Sequence, residues 1–263
     1  MPTDSVILDD FNTWPQDLQN LLRRYQRALV ERAEVVDPAS SRTERAHVTE
    51  EVLLELDRVW AHVRAEAERS LSGGCLLAYH CTRLTVDEIE GVRRDGLALL
   101  EVAAMRRKID ARVAAGDLNA ECAGRLQARL DRNVLEPTRG KTLWATMSEL
   151  ALMEELKLHQ PLIYWGGEAI LSYVDGDHPH LASIGSACIV EFSAPFSAAV
   201  QFDPTEAFLE RFVYMQRGYG ENGANDICFA SAVPAERIRR IIGRREPDFE
   251  RLTACDTWSR TIT

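Results

Sequence analysis

Cys75-Leu76-Leu77-Ala78-Tyr79-His80-Cys81-Thr82-Arg83 is the stretch on which the fold of this chain turns. Its first part is a compact apolar run that ends on an imidazole, and Ser72-Gly73-Gly74 in front of it interrupts whatever structure precedes. A strand from Cys75 to His80 is predicted. Thr85-Val86-Asp87-Glu88 then forms a capping box, in which a threonine hydroxyl and a glutamate carboxylate each satisfy a backbone N–H at a helix start. A helix therefore follows the strand, and Gly96 stops it.

Upstream, Leu18, Leu21, Leu22, Tyr25 and Leu29 recur at helical spacing, as do Val52, Leu56, Val59, Trp60 and Val63. Asp37-Pro38-Ala39-Ser40-Ser41 between them is turn material. Residues 1–72 thus read as a helical N-terminal region, whose apolar stripes are those of any docked helix. Downstream, residues 98–132 are rich in Ala, Arg and Leu, with Gly116-Asp117 as a break, and read as a helical insertion. A second strand is predicted at Lys141 to Thr146, leading into a helix through Thr146-Met147-Ser148-Glu149, and Pro161 is expected to force a new start at Ile163. Further strands are expected at Ala187 to Phe192, Asp226 to Val233 and around Ile241-Ile242. Strands separated by helices of unequal length suit an α+β protein with a split sheet, mixed or antiparallel, better than a doubly wound one.

Composition bounds the function. Hydrophobic residues at 46% and charged residues at 27% give enough apolar surface for a proper core, which argues against disorder. The formal charge of −10 opposes long-range attraction to nucleic acid or to an anionic membrane, though a local basic patch could act against it. Cys75, Cys81, Cys122, Cys188, Cys228 and Cys255 are widely spread without a CxxC pair, so they read as reduced, mostly buried thiols. With no apolar run of about 18 residues and no basic-then-apolar N-terminus, a cytoplasmic protein without membrane contact is expected.

The strand ending Tyr79-His80-Cys81-Thr82 resembles the first motif of the ADP-ribosyltransferase superfamily, in the branch of the poly-ADP-ribose polymerases and diphtheria toxin. There the strand ends in His-Gly-Thr or His-Gly-Ser. The resemblance covers about residues 75–245 and implies an ADP-ribosyltransferase-like domain over residues 73–263, with NAD as substrate. It puts the adenosine ribose on His80, the nicotinamide carboxamide on the Cys81 backbone and a steadying role on Thr82. Cys81 stands where the family has glycine, so the clamp requires its side chain to point away.

Gly140-Lys141-Thr142-Leu143-Trp144-Ala145 is similar to the second motif, whose tyrosine stacks on nicotinamide; Trp144 takes that place, and an indole face suits a cationic ring. Tyr164 and Trp165 are candidates for a second wall. The third family element is a late-strand carboxylate that stabilises the oxocarbenium-like transition state, electrostatics that count for most in a dry cleft. Asp226 is its candidate here, with Glu168, Glu191 and Glu221 as fallbacks. The resemblance implies a glycosyltransferase, in the setting of a bacterial toxin, defence factor or effector. It would act on a macromolecular acceptor, protein or nucleic acid, and an inhibitor or antitoxin protein would be a natural partner. An NAD glycohydrolase on the same fold and a catalytically inactive ADP-ribose-binding or partner-binding module are the alternatives.

Other signals read as structure. Gly218-Tyr219-Gly220-Glu221-Asn222-Gly223 matches a dinucleotide fingerprint literally, but follows a helix and precedes a strand, the reverse of the working context. Asp175, Asp177, His178 and His180 read as a solvated loop rather than a metal site. His80 and Cys81, adjacent on a strand, point to opposite faces and cannot form a nucleophile–base pair. Arg239, Arg240, Arg244 and Arg245 are flanked by Glu236, Glu246 and Asp248 and read as a charged face.

Overall fold

The computed structural model describes residues 5–36, 49–133, 140–167, 178–218 and 225–259. The strands are β1 (Cys75–Leu84), β2 (Leu143–Thr146), β3 (Ser186–Pro195), β4 (Asp226–Phe229) and β5 (Ile238–Gly243). They form one sheet in the order β4-β2-β1-β3-β5, and every strand pairing in it is antiparallel. Among the described residues the parallel contact expected of a mixed sheet is limited to an isolated bridge between Val6 and Leu76. The protein is therefore of the α+β class.

Among the described residues the helices α1 (Gln16–Val36) and α2 (Glu50–Leu71) precede the sheet. Their apolar stripes, including Leu18, Leu22, Leu29, Trp60 and Val63, join one cluster with Leu76, Ala78, Val190 and Phe192 from the sheet and with Phe208 and Phe212 from α8 (Pro204–Arg217). Fully burying each such side chain stabilises the fold by roughly 1.5–3 kcal/mol, before the entropy of ordering it is subtracted. The N-terminal region thus shares its core with the sheet. The backbone of Val6 bonds that of Cys75 and Leu77, both at 2.9 Å, and fixes the entry of the chain.

The opposite face of the sheet carries Leu77, Tyr79, Cys81, Ile189 and Ile242, covered by Leu162 and Ile163 of α6 (Glu155–Ile163) and by Phe249 and Leu252 of α9 (Pro247–Thr253). Period-two alternation along β1 generates both faces: even-numbered Leu76 and Ala78 join the first cluster, odd-numbered Leu77, Tyr79 and Cys81 the second.

After β1 comes α3 (Val86–Asp95), whose capping box is formed as predicted and whose C-cap is Gly96 at φ 84°. The insertion consists of α4 (Val102–Ala114) and α5 (Ala120–Asn133). Its ends meet, because Leu100 N–H donates to the Thr142 carbonyl at 3.1 Å and Lys141 N–H to the Leu100 carbonyl at 2.9 Å. Ile109, Leu118, Cys122, Leu126 and Leu130 give it a small core of its own, shared with Trp165, with Ile184 and with Leu181 of α7 (His178–Ser183).

Several local expectations are corrected. β1 runs past His80 to Leu84, and β4 stops at Phe229 rather than Val233. Pro161 lies inside α6 instead of opening a new helix. That helix ends two residues later, so the missing N–H removes a bond only from its last turn. Thr146 and Glu149 do not form a capping box. A 3-10 turn, Leu150–Met153, begins there instead, and its free N–H groups are taken by Ser148 Oγ, at 3.1 Å from Leu150 N and 3.3 Å from Ala151 N. Asp9 supports this end, accepting from Ser148 Oγ at 2.8 Å and from Glu149 N at 2.7 Å.

Candidate functional site

The pairing of β1 with its two neighbours is unequal. Toward β3 it is continuous, from Cys75 opposite Pro195 to Leu84 opposite Ser186. Toward β2 it is confined to Tyr79 opposite Thr146. Continuing that register would set Cys81 opposite Trp144, but the ladder is not made, so β1 and β2 part immediately after Tyr79. His80 is the first residue at this parting.

The half-buried His80 ring closes the gap with its side chain, its Nδ1 lying 2.8 Å from the Trp144 carbonyl oxygen. A carbonyl only accepts, so Nδ1 carries the hydrogen and Nε2 keeps the lone pair. Burial holds the imidazole below its usual range, the Trp144 carbonyl opposes that shift, and the positive charge of Lys108 adds to it. His80 is thus a neutral ring of fixed tautomer. Among the described residues Nε2 has no hydrogen-bond partner.

Register divides the other candidates between the two faces. Directly opposed residues share a face, and the row Arg240-Glu191-Tyr79-Thr146-Asp226 crosses all five strands. Asp226 therefore lies on the Tyr79 face, as does Trp144, two residues from Thr146 on β2. His80 and Thr82 lie on the other face with their partners Val190 and Cys188. The two sets adjoin only across the parting of β1 and β2. Trp144 is half-buried, edge-on to exposed Phe202 at 5.7 Å between ring centroids, and its indole N–H is buried without a hydrogen bond among the described residues. Asp226 is half-buried at the first position of β4.

Cys81 is buried on the Tyr79 face, so its side chain points away from His80, and burial pushes its thiol up to about 12. Tyr79 is likewise core, 1% exposed, with its hydroxyl donating to Glu149 at 3.0 Å and its ionisation pushed up by burial and by that carboxylate. Trp165 is also 1% exposed, packed in the core of the insertion, and offers no face to a ligand. An aromatic after a helix end reads the same in sequence whether it lines a cleft or fills a core. Tyr164 is half-buried, edge-on to His159 at 5.9 Å. Glu191 is bound to Arg240 at 2.7 Å, which also holds Asp248 at 2.5 Å. Glu168, Glu221, Asp175, Asp177 and the glycine run beyond Gly218 lie outside the described residues.

One group of residues beside His80 was not apparent in the sequence. Glu88, known from its capping box, collects donors from three segments: Thr85 N at 3.0 Å, Thr85 Oγ1 at 3.2 Å, Trp165 Nε1 at 2.9 Å and Lys108 Nζ at 3.1 Å. Burial favours protonation of Glu88, but Lys108 and these hydrogen bonds prevail and hold the carboxylate below its usual range. The insertion is thereby tied to the end of β1. Arg83 is also buried there, donating to the carbonyls of Ile184 at 2.7 Å and Gly185 at 3.0 Å.

A cavity of about 130 Å³ lies elsewhere, lined by Ser193, Ala194, Phe229, Val233 and Arg237 among others and by none of the candidate residues. It is smaller than the roughly 300–1,000 Å³ of a typical ligand cleft. Among the described residues no group of three or more His, Cys, Asp or Glu side chains is placed to hold a metal ion. No described helix is long and apolar enough to cross a membrane. Comparison with family models, with curated proteins and with solved structures finds no match. Fold and site together define an α+β protein with a neutral histidine at a parting of its sheet.

Proposed function

We propose that this chain binds NAD at the parting of β1 and β2 and transfers ADP-ribose from it to a macromolecule. The observation that carries the reading is the state of His80: its Nδ1–H is engaged by the Trp144 carbonyl, which leaves Nε2 as an acceptor suited to a ribose hydroxyl. Cys81 points to the other face, as a backbone clamp on the carboxamide requires. Trp144 supplies an aromatic surface on the strand across the parting, and Asp226 supplies a carboxylate on the next strand.

In this reaction the bond between nicotinamide and ribose C1′ breaks and its electron pair leaves with nicotinamide. An acceptor oxygen or nitrogen then bonds to C1′ and gives up its proton. The residues named hold the ribose and stabilise the positive charge on the sugar, a role for a carboxylate fixed close by.

The register favours a second reading, a module that binds ADP-ribose or a partner without catalysis. Asp226 and His80 lie on opposite faces of the sheet, so no single face presents both to a ligand. Incubation with NAD labelled in its adenylate half, in the presence of cell lysate, separates the readings. Transfer predicts a labelled macromolecule and free nicotinamide, both reduced in His80→Ala and Asp226→Ala. A glycohydrolase releases free ADP-ribose, and a binding module retains NAD or ADP-ribose without releasing nicotinamide. Labelling unchanged by either substitution would overturn the site assignment.

A further inference from the structure

A dinucleotide carries a diphosphate, and His80, Cys81, Trp144 and Asp226 offer it no cation. His80 is neutral, and the whole chain has a formal charge of −10, so phosphate binding requires a local positive group. Lys108 is placed to be that group. It projects from α4, is 46% exposed in its side chain, and is held at one point by Glu88 Oε1 at 3.1 Å. An ammonium has three N–H donors. Glu88 is its hydrogen-bond and ion-pair partner among the described residues, so donors remain for a second anion.

Glu88, the partner of Lys108, is itself held in place by the fold. Glu88 is anchored by Thr85 and by the indole of Trp165, and Thr85 follows directly on β1, five residues after His80. The Lys108 charge reaches the His80 ring electrostatically. A half-buried carboxylate with four donors thus holds an exposed ammonium near the end of the strand that carries the histidine.

We infer that Lys108, supplied by the helical insertion and oriented by Glu88, binds the diphosphate of the dinucleotide whose ribose meets His80. This rests on the NAD reading and makes the insertion part of the binding site. Glu88 is the positioning residue, acting through Lys108.

The test is equilibrium binding of two probes, NAD and nicotinamide riboside, which lacks phosphate, to wild type, Lys108→Met and Lys108→Arg. Lys108→Met is expected to raise the dissociation constant for NAD roughly tenfold, the loss of one charge-assisted contact. Its effect on the riboside is expected to be less than about threefold, and Lys108→Arg is expected to recover most of the NAD affinity, because guanidinium also binds phosphate. Equal weakening of both probes would make Lys108 merely structural, and NAD binding unchanged in Lys108→Met would remove it from the site; either overturns the inference alone. Failure of wild type to bind NAD at all would overturn the NAD reading itself, and the inference with it.

Discussion

The Nδ1 of His80 lies 2.8 Å from the carbonyl oxygen of Trp144, on the strand from which β1 has just parted. One side chain thus bridges the two strands where the backbone ladder stops, and its Nε2 has no hydrogen-bond partner among the described residues. His80→Asn, which can still donate an amide N–H, is expected to remain folded and to weaken NAD binding by about 5- to 10-fold, the worth of one neutral hydrogen bond. Calorimetric titration of NAD into both proteins checks this.

The same contact has a pH signature. Burial depresses the folded-state ionisation of His80 below the ordinary imidazole value of about 6.5, so below that pH the unfolded chain takes up a proton that the folded protein refuses. Stability contributed by the neutral ring is complete above pH 6.5 and is lost as pH falls toward the depressed folded value. The slope attributable to one such group is at most about 1.4 kcal/mol per pH unit. Urea unfolding of wild type and His80→Asn between pH 7 and pH 5 should show a steeper fall in wild type.

Cys81 is buried against the helices covering the Tyr79 face, with its thiol pushed up to about 12. It should resist a maleimide at pH 7.5 in the native protein and react after denaturation, since the thiolate is the reactive form. Peptide mapping of the labelled sites reads the outcome; rapid native labelling at Cys81 would contradict its placement.

Gly96 ends α3 at φ 84°, and a Cβ there would lie 2.0 Å from the Val233 carbonyl oxygen. Backbone on both sides makes relief expensive. Gly96→Ala is expected to destabilise the protein by more than about 1–3 kcal/mol, combining left-handed strain with the clash. Thermal or urea denaturation measures it, and a variant as stable as wild type would contradict the packing of α3 against residues 233–235.

What the sequence disclosed was local. The strand beginning at Cys75, the Thr85–Glu88 capping box, the Gly96 stop and the helical character of residues 102–133 all follow from neighbours a few residues apart. What it concealed depends on distant partners. Asp9 accepts the Glu149 N–H that the Thr146 hydroxyl would accept in a Thr146–Glu149 capping box. Trp165 fills the core of an insertion some forty residues upstream and bonds Glu88. Alternation predicts that His80 and Cys81 oppose each other, but only the register between strands reveals that Trp144 and Asp226 share the Cys81 face. Lys108 carries no motif, and only its ion pair with Glu88 brings it to notice.

The most direct test is the ¹⁵N resonance pair of the His80 imidazole during titration with NAD. The account predicts an Nδ1–H tautomer at neutral pH, a large shift of Nε2 as it accepts a ribose hydroxyl, and little movement of Nδ1. An Nε2 resonance unmoved at saturating NAD, or an Nε2–H tautomer in the free protein, would contradict it.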